Sequence, residues 1–160
     1  MKQQIKLIER KVKSVLTIGE RSKYSGFLYT RELIEDILKQ QQPLIENKSL
    51  FVTLGYFDKN LTDTDIDKVE GLVTGVEIVD NKVEYTIHFL EKAVNLYLNM
   101  NIPMSIEIPF KGKIVNNKYV TEVKTVNYVN MIFDNPEQTL KELNNTINSI
   151  KEAIAKIEVK

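Results

Sequence analysis

Ser105 lies midway along Ile102-Pro103-Met104-Ser105-Ile106-Glu107-Ile108-Pro109-Phe110. A serine nucleophile needs a base within hydrogen-bond reach and a donor for the developing oxyanion. Lys59, His88 and Glu107 are the residues that could stand beside it. His88, the only histidine, falls in Tyr85-Thr86-Ile87-His88-Phe89, where a lone strand histidine is usually a packed or surface residue. Asp63-x-Asp65-x-Asp67 has the acid spacing that opens a calcium loop. Such a loop next needs a glycine for its sharp turn and later a bidentate glutamate. Lys68 and Thr74 hold those places, so the segment reads as a solvated acidic loop. The sequence has no phosphate loop, no Gly-x-Ser-x-Gly elbow and no aromatic-basic platform for RNA. Cysteine is absent, which excludes disulfides, a thiolate nucleophile and a Cys-ligated metal. With one histidine there is no His-rich metal site either, so neither metal nor cofactor is expected.

The elements that must position these residues follow from hydrophobic periodicity. Residues 3–9 and 12–18 alternate partially and predict two strands, followed by a polar turn region at 20–26. Thr30 can cap a helix over 31–41 with Leu33, Ile34, Ile37 and Leu38 as its buried stripe, and Pro43 is expected to end it. Residues 49–55 read as a buried strand. Residues 69–79 and 82–90 read as a hairpin on Asp80-Asn81, two residues that tolerate the positive φ of a tight turn. A short helix is expected at 90–99. The 102–110 segment alternates cleanly, with Ile102, Met104, Ile106, Ile108 and Phe110 on one face. Its two prolines cannot donate to a ladder, which makes it an edge strand. Residues 112–115 and 118–129 form another hairpin on Asn116-Asn117.

The last segment differs from the rest. Asn135 caps it, Pro136 takes the first helical position, and the helix is expected to run to about residue 158. Leu140, Leu143, Ile147, Ile150, Ile154 and Ile157 follow one another at intervals of three and four, an a/d heptad stripe. So narrow a stripe suits a coiled-coil seam or a partner's groove; the other reading lays it against its own barrel. The fold class is therefore α+β: a mostly antiparallel, β-barrel-like domain over residues 1–134, with two short inserted helices, and a long amphipathic C-terminal helix over 135–160.

With 160 residues and 42% hydrophobic content the chain can bury a core without staples. Its 22 basic and 22 acidic residues cancel, which gives no electrostatic reason to expect nucleic acid or an anionic membrane. Charges recur through Met-Lys-Gln-Gln-Ile-Lys-Leu-Ile-Glu-Arg, so the N-terminus is neither a signal peptide nor a membrane span.

The order of segments from about residue 14 to 136 resembles the prohead proteases of tailed phages, which share the herpesvirus assemblin fold. A basic-polar turn, Arg21-Ser22-Lys23, precedes Phe27-Leu28-Tyr29-Thr30 and a helix. A strand ends Leu54-Gly55-Tyr56-Phe57-Asp58-Lys59-Asn60 where the family carries its catalytic histidine. Ile102-Pro103-Met104-Ser105-Ile106-Glu107 stands where the family has a Gly-Val-Ser-Ser-Arg-Gly-like nucleophile motif. The resemblance puts Ser105 at the nucleophile, Lys59 at the histidine position and Asn127 at the acidic third position. It also marks departures: Ile106 and Glu107 replace the arginine linked to the oxyanion site, and the flanking glycines are gone.

The resemblance thus implies a non-catalytic head protein, an auxiliary capsid or capsid-assembly component residing in the virion or the host cytoplasm. Its partners would be the major capsid or other head proteins, or further copies of itself through the terminal helix. An active serine protease using a Ser105–Lys59 pair would need burial to depress the lysine pKa, and Asp58 beside it opposes that. Without the resemblance, a small β-domain with a heptad tail reads as an oligomeric adaptor of a neck or tail.

Overall fold

The computed structural model describes residues 7–23, 25–55, 61–64, 66–90, 103–119 and 123–158. Strand β1 (Leu7–Lys13) starts the described chain, and β2 (Leu28–Tyr29) leads into α1 (Arg31–Glu46). Then come β3 (Phe51–Leu54), the hairpin β4 (Gly71–Val79) and β5 (Lys82–Leu90), β6 (Met104–Glu107) and β7 (Phe110–Lys111). A small hairpin, β8 (Ile114–Val115) and β9 (Lys118–Tyr119), precedes β10 (Lys124–Thr125), β11 (Tyr128–Phe133) and the terminal helix α2 (Pro136–Glu158). The architecture is α+β.

Six strands form the main sheet in the order β1-β5-β4-β3-β11-β6, antiparallel except where β11 runs parallel to β3. The sheet curls until its two edges touch. Val15 N–H donates to Ile106 O at 2.8 Å, and Ser14 bridges Ile106. This one bridge, not a continuous ladder, brings β1 back to β6 and makes the sheet barrel-like. The seam is pinned by Ser14, which is 1% exposed. Its hydroxyl donates to Leu16 O and accepts from Val83 N–H. Lys82 Nζ donates to the carbonyls of Ser14 and Val15, which end the strand there.

Alternation along β5 decides its two faces: Val83, Tyr85, Ile87 and Phe89 are fully buried, while Lys82, Glu84, Thr86 and His88 face out. Burying one such aliphatic or aromatic side chain is worth about 1.5–3 kcal/mol, so this inward row is a large part of what drives the hairpin onto the core. The hairpin turns on Asp80 and Asn81, at φ of 52° and 64°. At the other end Gly71 is required: a Cβ there would lie 2.8 Å from His88 O.

Helix α1 covers one mouth of the sheet. Thr30 caps it, accepting from Leu33 N–H while donating to Tyr119 O at 2.6 Å. Leu33, Ile34, Ile37, Gln41 and Ile45 face the core. The helix does not end before Pro43. That proline lies on the exposed face, where its ring and missing N–H cost one bond, and the next turn carries Ile45 into the core.

Three further expectations change. Among the described residues a single strand, Leu7–Lys13, stands where two were expected over 3–9 and 12–18, because the chain leaves the ladder after Ser14. Leu90 ends a strand instead of starting a helix; the rest of the helix expected at 90–99 lies outside the described residues. The 102–110 segment splits at Pro109 into β6 and β7, and β6 is the terminal strand of the sheet, as its prolines require. Around β2, β7 and β9 an aromatic cluster takes over: Tyr29 stacks on Tyr119 at 5.6 Å, and Phe110 meets Tyr119 edge-on at 5.3 Å.

Candidate functional site

Strand β6 pairs antiparallel with β11, placing Ser105 opposite Ile132. Two residues further along β11, and so on the same face, comes Asp134. Its N–H donates to Pro103 O at 3.0 Å, which holds the strand end in register. Ser105 Oγ, partly exposed, then donates to Asp134 Oδ1 at 2.5 Å. A hydroxyl has one hydrogen, and here it is given to a carboxylate directly. In a Ser-His-Asp arrangement the imidazole stands between the two.

The other residues singled out in the sequence lie elsewhere. Asn127 precedes β11, five residues before Ile132, about 16 Å along the strand from Ser105's neighbour at the rise of an extended chain. Its side-chain carbonyl accepts from Thr64 N–H at 2.8 Å, and its backbone N–H donates to Asp63 Oδ1 at 3.1 Å. Asn127 and Asp63 thus clasp the acidic loop to the start of β11. Ser105's acidic neighbour is Asp134, not the residue at position 127. His88 points outward from β5 and sits 3.4 Å from Glu9, both partly exposed. Glu9 lies five residues before Ser14, the residue that meets β6, so His88 is on the order of 16 Å along β1 from the level of Ser105. Lys59 lies outside the described residues. Glu107 shares Ser105's face of β6 and is exposed.

Beside β6 runs a cleft of about 150 Å³, where the strand and residues 15–17 diverge beyond the seam. Ile106, Ile108, Phe110 and Tyr29 give it an apolar floor, and Glu20, Arg21, Lys23 and Glu107 rim it. Arg21 is held by donating to Gly26 O at 3.0 Å. Two cations and two anions on the rim leave it with no preferred charge. Ser105 does not line this cleft; it is two residues from Glu107, roughly 7 Å along the strand.

The stripe on α2 is exposed: Leu140 is 60%, Ile147 40%, Ile150 52%, Ile154 49% and Ile157 70% accessible, while Leu143 is half-buried. No helix among the described residues is long and apolar enough to cross a membrane.

Asp134 is the residue that sequence reasoning missed. Its one signal was its place between a strand and the Asn135-Pro136 helix start; the β6–β11 register that brings it to Ser105 joins segments about 29 residues apart.

No protein-family profile matches the chain, and no curated protein matches it in sequence. Among solved structures the chain is similar to the capsid assembly protease of bacteriophage T4, with a TM-score of 0.57 and 10% sequence identity, over 82% of this chain and 99% of that one. The chain therefore has a distant prohead-protease-like fold.

Proposed function

We propose that this chain is a non-catalytic head-assembly protein of a tailed bacteriophage, built on the prohead-protease fold. It would act in the virion or in the host cytoplasm during assembly, with the major capsid or other head proteins as partners. The observation that carries this reading is the direct Ser105–Asp134 hydrogen bond. The hydroxyl proton that a general base would have to remove is already bonded to a carboxylate, and His88 faces away on another strand. The sequence around Ser105 agrees, since the family's glycines and following arginine are absent.

The second reading, an active serine protease, is favoured by one observation: Ser105 is partly exposed, on the strand whose next residues line the cleft. Head maturation in the encoding phage separates the two. Under the non-catalytic reading, Ser105→Ala leaves processing of the head proteins unchanged, and the chain co-purifies with proheads or virions. Loss of processing in that variant would establish the protease instead.

A further inference from the structure

Helix α2 leaves the body of the domain part-way along its length. Near its start Thr139 is buried and Glu142, Leu143 and Thr146 are half-buried, yet every residue from Ile147 to Ile157 is exposed. This is eleven residues of helix with no support from the domain beside it. Most helical stability in proteins comes from packing an amphipathic face, and this half of the 23-residue helix packs its face on nothing among the described residues. It contains Asn148, Ser149 and three internal or terminal β-branched isoleucines beyond Ile147, which lower its propensity further. Its isoleucines nonetheless hold a strict a/d register: 147 and 154 at a, 150 and 157 at d. A seam of that width is matched by another helix carrying the same seam.

We propose that residues 147–157 form a parallel coiled coil with the same segment of further copies of this chain, as a trimer or a larger bundle. Isoleucine at both a and d shifts the preference from two strands to three or four. The flanking charges favour the parallel arrangement. In it the g-to-e neighbours are Thr139 with Asn144, Thr146 with Lys151 and Ala153 with Glu158, and no pair brings like charges together. Antiparallel overlap of the four isoleucines places Lys151 against its own copy. A longer antiparallel overlap would need Leu143, which the domain already half covers. The remaining charges, Lys141, Glu142, Glu152 and Lys156, fall at outer positions b, c and f.

Sedimentation equilibrium of the full chain over a concentration series tests this. The mass is expected to rise reversibly to at least three times that of the monomer. Ile150→Asp with Ile154→Asp should sediment as a monomer while the domain's melt is unchanged, because neither side chain touches the core. Glu152→Gln, on the outer face, should associate like the unsubstituted chain. Because the chain has no cysteine, Ile157→Cys reports orientation cleanly: parallel copies form a disulfide between equivalent positions under mild oxidation. An unsubstituted chain that stays monomeric throughout, an aspartate variant that still associates, or Ile157→Cys chains that associate without cross-linking would each overturn the proposal.

Discussion

Ser105 Oγ donates to Asp134 Oδ1 one residue before Asn135, whose side chain accepts from Gln138 N–H and caps the terminal helix. The bond therefore ties the last strand of the sheet to the root of α2. Hydrogen bonds to charged groups contribute about 1.5–3 kcal/mol when shielded, and less at a partly exposed position. Ser105→Ala is expected to cost about 1 kcal/mol in urea unfolding. Asp134→Ala, which removes the acceptor, should cost a similar amount, and the two together little more than either, because the same contact is lost in both.

The Asn127 clasp makes a second structural claim. Asn127→Ala removes the acceptor for Thr64 N–H, while the backbone bond from residue 127 to Asp63 survives. Amide exchange at Thr64 should accelerate markedly, with a loss of global stability of about 1 kcal/mol. Unchanged protection at Thr64 would show that the loop is held by something else.

Tyr85 and Gln41 make one contribution to the pH dependence of the fold at the alkaline end. Tyr85 is fully buried, and desolvation pushes its pKa well above the ordinary tyrosine value of 10.0, an effect only partly offset by its hydrogen bond to Gln41. Because the folded-state pKa is raised, the stabilisation is complete below pH 10 and is lost as pH rises above it, where the unfolded chain releases a proton that the folded chain retains. Alkaline unfolding should therefore steepen above that pH. Tyr85→Phe should make that limb shallower but cost about 1–3 kcal/mol at neutral pH, since it removes the donor to Gln41 Oε1, and Gln41 Nε2 has no partner among the described residues. Pairing Tyr85→Phe with Gln41→Leu should recover much of that cost, as read from melts at both pH values.

The stripe and the core respond oppositely to truncation. Ile106 is fully buried at the seam and Ile150 is half-exposed on α2. Ile106→Ala should destabilise the domain by about 2–5 kcal/mol, and Ile150→Ala by no more than about 0.5 kcal/mol at concentrations where the chain is monomeric. Comparable losses would mean that the helix packs on its own domain.

Local chemistry made several of these elements legible in the sequence. Thr30 and Asn135 cap the helices because their side chains suit N-terminal donors, and Asp80-Asn81 and Asn116-Asn117 turn hairpins because they accept positive φ. The period-two pattern of Met104–Glu107 identified a strand, and its flanking prolines placed it at an edge. Long-range pairing was not legible. Nothing local states that β11 runs parallel to β3 or that Ser105 faces Ile132, so the contact between Ser105 and Asp134 could not be read from the sequence. Pro43 misled for a related reason: a local rule that ends helices gave way to the burial of Ile45 about half a turn later in the core.

The most direct test of the claim that Ser105 performs no acyl chemistry is intact-mass analysis of the full chain after exposure to a fluorophosphonate serine probe, alongside Ser105→Ala. The account predicts no adduct on either protein, because the hydroxyl is bonded to Asp134 with no imidazole between them. A single adduct on the unsubstituted chain that is mapped to Ser105 and absent from the variant would contradict it.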